Sequence, residues 1–430
     1  MTMSGNICRK VAVAVCVLLG ASLTAKADGG TYASNTPYSI FGIGDLMRGG
    51  SAYTKTMGGV GIGTRSNHFI NPLNPAAVTA RDSLSLMIDY SMYEDNKFFS
   101  EGSKRSVSNT FNIGDLIVSF PIYKSLSMMV GVLPYSGMGF KYSDSYDGLS
   151  DDVILNTGSV TYSAIGQGGM YQLFGALGVS FFDKLSLGAQ YNFYFGDIDK
   201  GYIQTVSSST AQGLDRNYDV LLNGGSFKFG FQYEQPIGNN KLCIGATYSL
   251  KARLKGYVTD IWKSEVDTFS FDSGLSIPEE IGVGVSFRGG ETWMVAFDYT
   301  RSDWRGSGFD KYDFFKASKG FAPSTTEDFR LGFEILPNRS DIRYYFKRCY
   351  YRAGAYYRKD YFTFNGHNIT SFGLTLGTTL PVFRWYNGLT LGMEIGQRGT
   401  MQNNLIKENY INFSIGLNLF DIWFQKPRYE

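Results

Sequence analysis

The sequence predicts an all-β protein: a 14-stranded antiparallel transmembrane β-barrel with an N-terminal hatch that plugs its lumen. Two observations support this prediction. Long segments alternate apolar and polar residues with the two-residue period of a strand, and no later apolar run approaches the roughly 20 residues of a membrane helix. The composition agrees, because 52 Gly, 30 Tyr and 33 Phe accompany only 11 Pro.

The first 27 residues are predicted to be a cleaved signal peptide. Arg9 and Lys10 precede an apolar run at 11–19, and Ala25-Lys26-Ala27 has the small-residue pattern of a cleavage site. An exported barrel belongs in the outer membrane of a Gram-negative bacterium. Removing three of the 40 basic residues leaves 37 against 38 acidic ones, so the charge gives no argument for nucleic-acid binding.

Residues 28–82 are predicted to form the hatch. The runs 58–63 (Gly-Gly-Val-Gly-Ile-Gly) and 71–77 are too rich in Gly, Pro and Asn for a regular helix or strand. The glycine run lacks the Lys-Ser/Thr ending of a phosphate loop, so it does not indicate a nucleotide site. We expect the plug to involve Gly58, Gly59, Asn74, Pro75 and Ala76.

Residues 83–430 are predicted to form the barrel. In Phe227–Glu234 an aromatic residue stands at every odd position, and the even positions carry Lys228, Gly230, Gln232 and Glu234. Strands of this kind run to about ten residues or more, which suits a tilted bilayer crossing better than the roughly 5–6 residues usual in a soluble sandwich. Backbone groups at a free edge in lipid would be unpaired, so the sheet must close.

The strands are predicted near 83–93, 109–122, 126–142, 169–182, 185–198, 217–235, 241–258, 279–289, 292–301, 327–337, 347–359, 368–381, 387–397 and 408–420. Tight turns are expected at one end of the barrel. Long loops are expected at the other end, near 94–108, 143–168, 199–216, 259–278 and 302–326.

Several segments resemble the FadL-type outer-membrane transporters of hydrophobic compounds (the OMPP1/FadL/TodX family), in the version common in Bacteroidetes. Asn74-Pro75-Ala76 ahead of the first strand is similar to the family's hatch motif. The other similar segments are Ile277-Pro278-Glu279 with Gly282 and the strand from Trp293 to Trp304, Val130–Gly139 in the third strand, and Asn418–Phe424 at the end. The resemblance spans essentially the whole mature chain.

The resemblance implies a lumen blocked by the hatch and a kink in the third strand, through which an apolar ligand leaves sideways into the membrane. The residues support a kink independently. Pro134 lacks a ladder donor, and Gly137 and Gly139 weaken an otherwise regular strand. We assign the lateral opening to Pro134, Ser136, Gly137 and Gly139. The alternative is an ordinary bulge with no opening.

Cations on the polar phase of the strands are candidate lumen anchors for an acidic ligand. These are Lys228, Lys251, Arg288, Arg330, Arg352 and Arg358. Acidic residues such as Asp298 and Glu334 share that phase, so pairing among lumen charges, or between them and the hatch, is the favoured alternative. The sequence does not name the ligand.

No catalytic residue, cofactor or metal site is predicted. The mature chain has only His68 and His367, and neither lies in a catalytic motif. Cys243 and Cys349 are far apart and are expected to be unpaired, although a single disulfide or a metal site is the alternative. The acidic residues between Asp144 and Asp152 are expected to form a solvated loop rather than a divalent-cation site.

The predicted function is passive uptake of hydrophobic or amphipathic small molecules such as long-chain fatty acids. The expected partners are outer-membrane lipid, lipopolysaccharide, the ligand and, during insertion, the barrel-assembly machinery; the chain is expected to be a monomer. The alternative function is a shuttle, attachment or interaction protein of a secretion system with the same barrel fold.

Overall fold

A computed structural model describes residues 35–81, 85–146, 159–182, 184–207, 213–262, 265–382, 387–403 and 405–422. The predicted signal peptide and the predicted boundary between hatch and barrel at residue 82 lie outside these ranges.

Strands dominate the described chain. Their bounds are β1 Asp45–Leu46, β2 Ser85–Glu101, β3 Lys104–Tyr123, β4 Leu126–Tyr146, β5 Val160–Phe181, β6 Leu185–Val206, β7 Leu214–Ile237, β8 Asn240–Ser249, β9 Ala252–Trp262, β10 Glu265–Ile277, β11 Glu280–Gly289, β12 Trp293–Asp303, β13 Phe321–Pro323, β14 Thr325–Ile335, β15 Tyr350–Phe364, β16 His367–Pro381, β17 Gly388–Arg398 and β18 Lys407–Ile422. The helices are short: Pro37–Ile40, Ala52–Lys55, Pro75–Thr79, Asp313–Lys316 and Tyr345–Arg348. None of these helices has the length and apolar character needed to cross a membrane.

The wall of the barrel consists of 14 strands, as predicted. Three of them are interrupted: β8 and β9 both pair with β7, β10 and β11 pair with β9 and β8 respectively, and β13 and β14 both pair with β15. Pro278 and Glu279 separate β10 from β11, which agrees with the inability of proline to donate to a ladder. β18 pairs antiparallel with β2 from Lys407–Ser100 to Ile422–Ser85, so the sheet closes on itself.

The apolar phase of the wall strands faces outward. On β7 the Phe227 and Phe229 side chains are 49% and 46% exposed, whereas Gln232 on the other phase is fully buried. The same alternation holds on β12, where Phe297 is exposed and Asp298 is buried. A closed sheet with an apolar outer band satisfies its own backbone groups in lipid, so this is a membrane-spanning barrel.

In four of the five predicted long loops, the residues that the structure describes are largely strand. β2 and β3 are joined by a turn at 102–103, and β10 begins three residues after β9 ends. β6 and β7 likewise extend to Val206 and from Leu214. These predictions were wrong because backbone pairing continues beyond the apolar band, where polar side chains stand on both faces and the alternation is lost. The connection from β12 to β13, residues 304–320, is long as predicted, and we call it the outer lid.

Candidate functional site: a plugged lumen and a gap in the wall

The glycine run of the hatch surrounds a carboxylate of the wall. Asp298 Oδ2 on β12 accepts hydrogen bonds from the backbone N–H groups of Gly61, at 2.7 Å, and Ile62, at 2.9 Å. Arg330 Nη1 on β14 donates to the Gly58 carbonyl oxygen at 2.7 Å. The run therefore makes an anion nest like that of a phosphate loop, but its anion is a side chain of the same protein.

Asn74-Pro75-Ala76 joins two parts of the hatch to the wall. Asn74 Oδ1 accepts from the Ala76 N–H at 3.0 Å and so caps the short helix Pro75–Thr79. Its Nδ2 donates to the carbonyl oxygens of Ile62, at 2.8 Å, and Phe231, at 3.1 Å. Asn74 is completely buried, so each of these bonds is made away from water.

A belt of inward-facing wall glycines receives the hatch. A Cβ atom on any of them would overlap hatch atoms between Ala52 and Thr79. The belt consists of Gly178, Gly188, Gly230, Gly245, Gly284, Gly332, Gly354, Gly377 and Gly416. Because these residues span strands from β5 round to β18, residues 52–79 of the hatch lie inside the barrel and fit closely against its wall.

Two of the predicted lumen anchors are buried in ion pairs. Arg352 Nε lies 2.8 Å from Glu334 Oε2, and its guanidinium lies over the rings of Tyr53 and Phe69 in the hatch. Arg330 Nε lies 2.8 Å from Asp328 Oδ2. The charge of each cation is therefore balanced by a wall carboxylate. This is the pairing among lumen charges that the sequence favours as the alternative to ligand anchoring.

The remaining predicted anchors are placed differently. Arg288 Nη1 lies 3.5 Å from Glu334 Oε1, and Arg358 Nη1 donates to the Leu46 carbonyl oxygen of the hatch at 2.8 Å. Lys228 is half-buried on the inner phase of β7. Lys251 was predicted to face the lumen, but it is exposed between β8 and β9. The break between these two strands changes which alternate residues face inward.

A second group of ion pairs holds the strand β1 of the hatch. Arg398 Nη1 on β17 lies 3.0 Å from Asp45 Oδ1, and its Nη2 lies 2.6 Å from Asp360 Oδ2. Lys97 Nζ on β2 is 3.9 Å from Asp45 Oδ2. Burial alone would raise the pKa of Asp45, but the positive charges of Arg398, Lys97 and Arg358 outweigh burial and lower it.

Toward the outer lid, the lumen is filled by an apolar core that the alternation did not predict. Tyr38, Phe41 and Ile43 of the hatch join inward-facing residues of β4–β10 and β15 in one buried cluster. The outer lid contributes Trp304, Phe309, Phe314 and Phe315. The expectation that the polar phase lines the interior therefore holds for the part around the glycine belt but is wrong near the lid. The available signal was the aromatic content of an otherwise polar loop.

Lys200 connects the hatch, the wall and the outer lid. Its side chain is 1% exposed, and its Nζ donates to the carbonyl oxygens of Ile40 and Phe314, each at 2.7 Å. The Gly42 N–H also donates to the Phe315 carbonyl oxygen at 2.8 Å. Sequence reasoning missed Lys200 because it predicted that the strand ends at residue 198, which placed Lys200 in a long loop, whereas β6 continues to Val206.

The wall has a gap between β3 and β4. Their pairing runs from Tyr123–Leu126 up to Leu116–Val132 and stops there. Beyond that point β4 continues to pair with β5, with a register shift between Pro134 and Ser136. The strand is therefore irregular at Pro134, two residues beyond the point where its pairing to β3 ends.

The free edge of β4 is taken by the hatch. Asp45 and Leu46 in β1 pair antiparallel with Gly137 and Ser136. The Met47 N–H donates to the Tyr135 carbonyl oxygen at 2.9 Å, and the Thr36 N–H donates to that of Gly139 at 2.8 Å. Three of the residues predicted for the lateral opening thus contact the hatch.

A cavity of about 1380 Å³ lies at this gap. Its apolar lining includes Tyr38, Phe41, Phe99, Val107 and Phe140, and its polar lining includes Lys104, Ser106, Ser108, Lys141 and Asp144. The cavity therefore joins an aromatic floor to a charged rim. Such a lining suits an apolar or amphipathic molecule.

Other sequence predictions can be placed. Cys243 and Cys349 are both buried and free. Asp144 pairs with Lys104, with Oδ1 and Nζ 3.4 Å apart, and the other acidic residues of that loop lie outside the described residues. Elsewhere Asp197, Asp199 and Asp219 bring their carboxylates within 4.8 Å of one another at the end of the barrel near the outer lid. Burial lowers the pKa of His68 in the hatch to about 3.

A family model named BamG matches residues 7–430, nearly the entire chain. The chain belongs to the BamG family. No curated protein sequence matches this BamG-family chain.

Solved structures that match this BamG-family chain include FadL-type barrels. The toluene transporter TbuX of Ralstonia pickettii has a TM-score of 0.56 at 15% identity, over 86% of this chain and 98% of the other. A FadL homologue of Pseudomonas aeruginosa has a TM-score of 0.56 at 11% identity, over 88% and 100%. The toluene transporter TodX of Pseudomonas putida has a TM-score of 0.56 at 14% identity, over 89% and 100%. At these identities the likeness confirms the FadL-type barrel fold.

Proposed function

We propose that the protein is a passive outer-membrane channel for hydrophobic or amphipathic small molecules, which leave sideways through the gap between β3 and β4. The observation that carries this proposal is the end of wall pairing at Leu116–Val132, with a cavity of about 1380 Å³ beside it. TbuX and TodX, which share the fold, are toluene transporters, and toluene is an apolar compound.

The proposed route needs only part of the hatch to move. Residues 52–79 fit closely against the glycine belt. They are also hydrogen-bonded to the wall through Asp298 and Asn74, so we treat them as the fixed part of the hatch. Pro37, Tyr38, Ile40 and Phe41 line the cavity, and the segment 36–47 bonds to the edge of β4 through backbone groups. A ligand that displaces this segment must break these backbone bonds, the ion pair of Asp45 with Arg398 and the packing of Tyr38 and Phe41. Burial of the ligand's own apolar surface offsets that cost.

The proposal includes no catalytic step. His68 is a buried hatch residue, and His367 lies in an outer turn with its Nδ1 3.4 Å from Asn403 Nδ2. Neither lies in a catalytic sequence motif.

The test is uptake by cells that have this chain as their one channel for apolar compounds. Radiolabelled oleate and radiolabelled toluene serve as probes, since they separate an amphipathic from a purely apolar ligand. Ser106→Trp with Ser108→Trp, both on β3 at the cavity, should fill the gap and abolish uptake. Ser270→Trp, at an exposed position of β10 away from the gap, is the matched control and should transport normally.

Normal uptake by the doubly substituted protein, with both tryptophans confirmed and the barrel folded, would contradict lateral exit. No uptake of either probe by the natural protein would contradict the channel itself.

The second candidate function is a partner-binding barrel, and the filled lumen favours it. The aromatic core under the outer lid and the paired charges around Arg352 and Arg398 occupy much of the described lumen. A barrel built in this way can hold a partner at its outer surface without passing any solute. Stoichiometric co-purification of one defined outer-membrane or secreted protein, together with absent uptake, would establish this function instead.

A further inference from the structure

The unpaired part of β3 is an open strand edge. From Lys104 to Asp115 the strand pairs with β2 on one side. On the other side it has no strand partner among the described residues, because pairing with β4 begins at Leu116. An edge of this length presents a row of free backbone donors and acceptors to whatever lies beside it.

Between Ser106 and Ile113 the edge carries neither the charged residues nor the proline that commonly protect exposed strands. No proline interrupts Lys104–Asp115, and three apolar side chains of the strand stand in the open: Val107 is 68% exposed, Phe111 63% and Ile113 59%. They share one face of the strand and lie beside the free edge. Exposed apolar side chains next to unpaired backbone are the combination that recruits another strand.

The opposite side of the gap already binds a strand in this manner. The edge of β4 is extended by the hatch through Asp45 and Leu46, with further backbone bonds at Thr36 and Met47. The gap therefore accommodates added extended backbone on its β4 side. The β3 side of the gap has no added strand among the described residues.

We propose that the β3 edge binds an extended segment of another protein, which adds as an antiparallel strand along Lys104–Asp115. Its side chains would alternate, with apolar residues beside Phe111 and Ile113. An antiparallel segment ends where β3 begins, so acidic residues at its C-terminal end would meet Lys104 and Arg105. This goes beyond the proposed transport function, since strand addition does not require any solute to pass.

Among the described residues, the ion pair that crosses the gap is weak enough to be broken. Lys104 Nζ and Asp144 Oδ1 are 3.4 Å apart, and the two side chains are 74% and 50% exposed. Exposed ion pairs of this kind contribute about 0–1 kcal/mol. An acidic residue of the incoming segment can therefore replace Asp144 as the partner of Lys104 at little cost.

The test uses purified full-length protein in detergent and a fluorescein-labelled peptide of alternating Thr and Val that ends in Asp-Glu. We expect saturable binding by fluorescence anisotropy. Phe111→Ser with Ile113→Ser should weaken it by about tenfold or more. The control Phe98→Ser removes an exposed apolar side chain from β2, which is paired on both sides, and should bind normally.

A charge exchange separates strand addition from general stickiness. Lys104→Glu with Arg105→Glu should lose the peptide ending in Asp-Glu and gain one that ends in Lys-Arg instead. Absent binding, or binding that none of these substitutions changes, would overturn the proposal. The proposal would also be overturned if the protein bound the fluorescent acyl probe parinaric acid but not the peptide, and if this binding depended on Phe111 and Ile113. That result would assign the edge to lipid. Uptake of oleate or toluene is measured separately, so failure of the channel function would be distinguished from failure of this one.

Discussion

The carboxylate of Asp298, on a wall strand, accepts a 2.7 Å hydrogen bond from the backbone N–H of Gly61 in the hatch. A second bond from Ile62 reaches the same oxygen, and Arg48 of the hatch lies 4.0 Å from it. One buried side chain thus fixes the centre of the plug to the barrel. Both donors are main-chain N–H groups. These bonds therefore depend on the backbone conformation of the hatch and not on the side chains at positions 61 and 62.

Removing this carboxylate should loosen the hatch without unfolding the barrel. In Asp298→Ala two buried backbone donors lose their acceptor, at a cost of roughly 1–3 kcal/mol for each unpaired group. We expect the amides of Gly61 and Ile62 to exchange faster with deuterium, measured by mass spectrometry. Glu265→Ala, at an exposed carboxylate on β10, is the control. Unchanged exchange in Asp298→Ala would show that the nest does not hold the hatch.

The glycine belt gives a steric prediction. A Cβ on Gly245 would overlap the Ile62 carbonyl oxygen, whereas one on Gly175 would meet nothing within 4 Å. Gly245→Ala should therefore destabilise the protein by about 1–3 kcal/mol through overpacking, while Gly175→Ala should be close to neutral. Thermal unfolding in detergent compares the two. Equal midpoints would mean that the hatch can shift away from the wall at little cost.

The barrel could be predicted from sequence because each strand carries its own evidence. Phe227, Phe229 and Phe231 stand at alternate positions of one strand, so they share a face, and the apolar face of a barrel strand meets lipid. The number of strands and the outward-facing phase therefore follow from the two-residue period alone. The hatch was likewise predictable, since its Gly and Asn residues exclude regular strands. Pro134 marked the irregular point of β4, because proline cannot donate to a ladder.

The charge pairing and the filled lumen could not be predicted in the same way. Which carboxylate lies beside Arg352 or Arg398 depends on the register between strands, and a single strand does not record its register. The outer lid turns inward because Phe314 and Phe315 bury against the hatch, and that contact joins segments far apart in the chain. The gap is similar: it is a missing pair, and neither β3 nor β4 alone reveals it.

Lys200 offers a test of the outer lid. In Lys200→Met the carbonyl oxygens of Ile40 and Phe314 lose their shared donor, and hydrogen bonds to a charged group contribute about 1.5–3 kcal/mol. The lid should open more often, so trypsin should cleave after Lys311 and Lys316 sooner.

The matched control for the lid is Lys255→Met, which removes an exposed lysine from β9. It should leave the cleavage rate as it is in the natural protein. Equal rates in Lys200→Met and the natural protein would show that aromatic packing alone closes the lid.

Asp45 gives a prediction about pH. The pKa of this carboxyl is lowered from its ordinary value of 3.8, since Arg398, Lys97 and Arg358 outweigh the effect of burial. A carboxyl whose pKa is lower in the folded state stabilises that state above its ordinary pKa, and the contribution is lost as the pH falls through the folded value.

Asp45→Asn should therefore destabilise the protein near neutral pH by roughly 1–3 kcal/mol and much less in strong acid. Thermal unfolding at both conditions measures this, with Asp267→Asn, an exposed residue of β10, as the control. A difference between natural protein and Asp45→Asn that stays constant in strong acid would mean that β1 is held by its backbone pairing to β4, and that the ion pair with Arg398 contributes nothing.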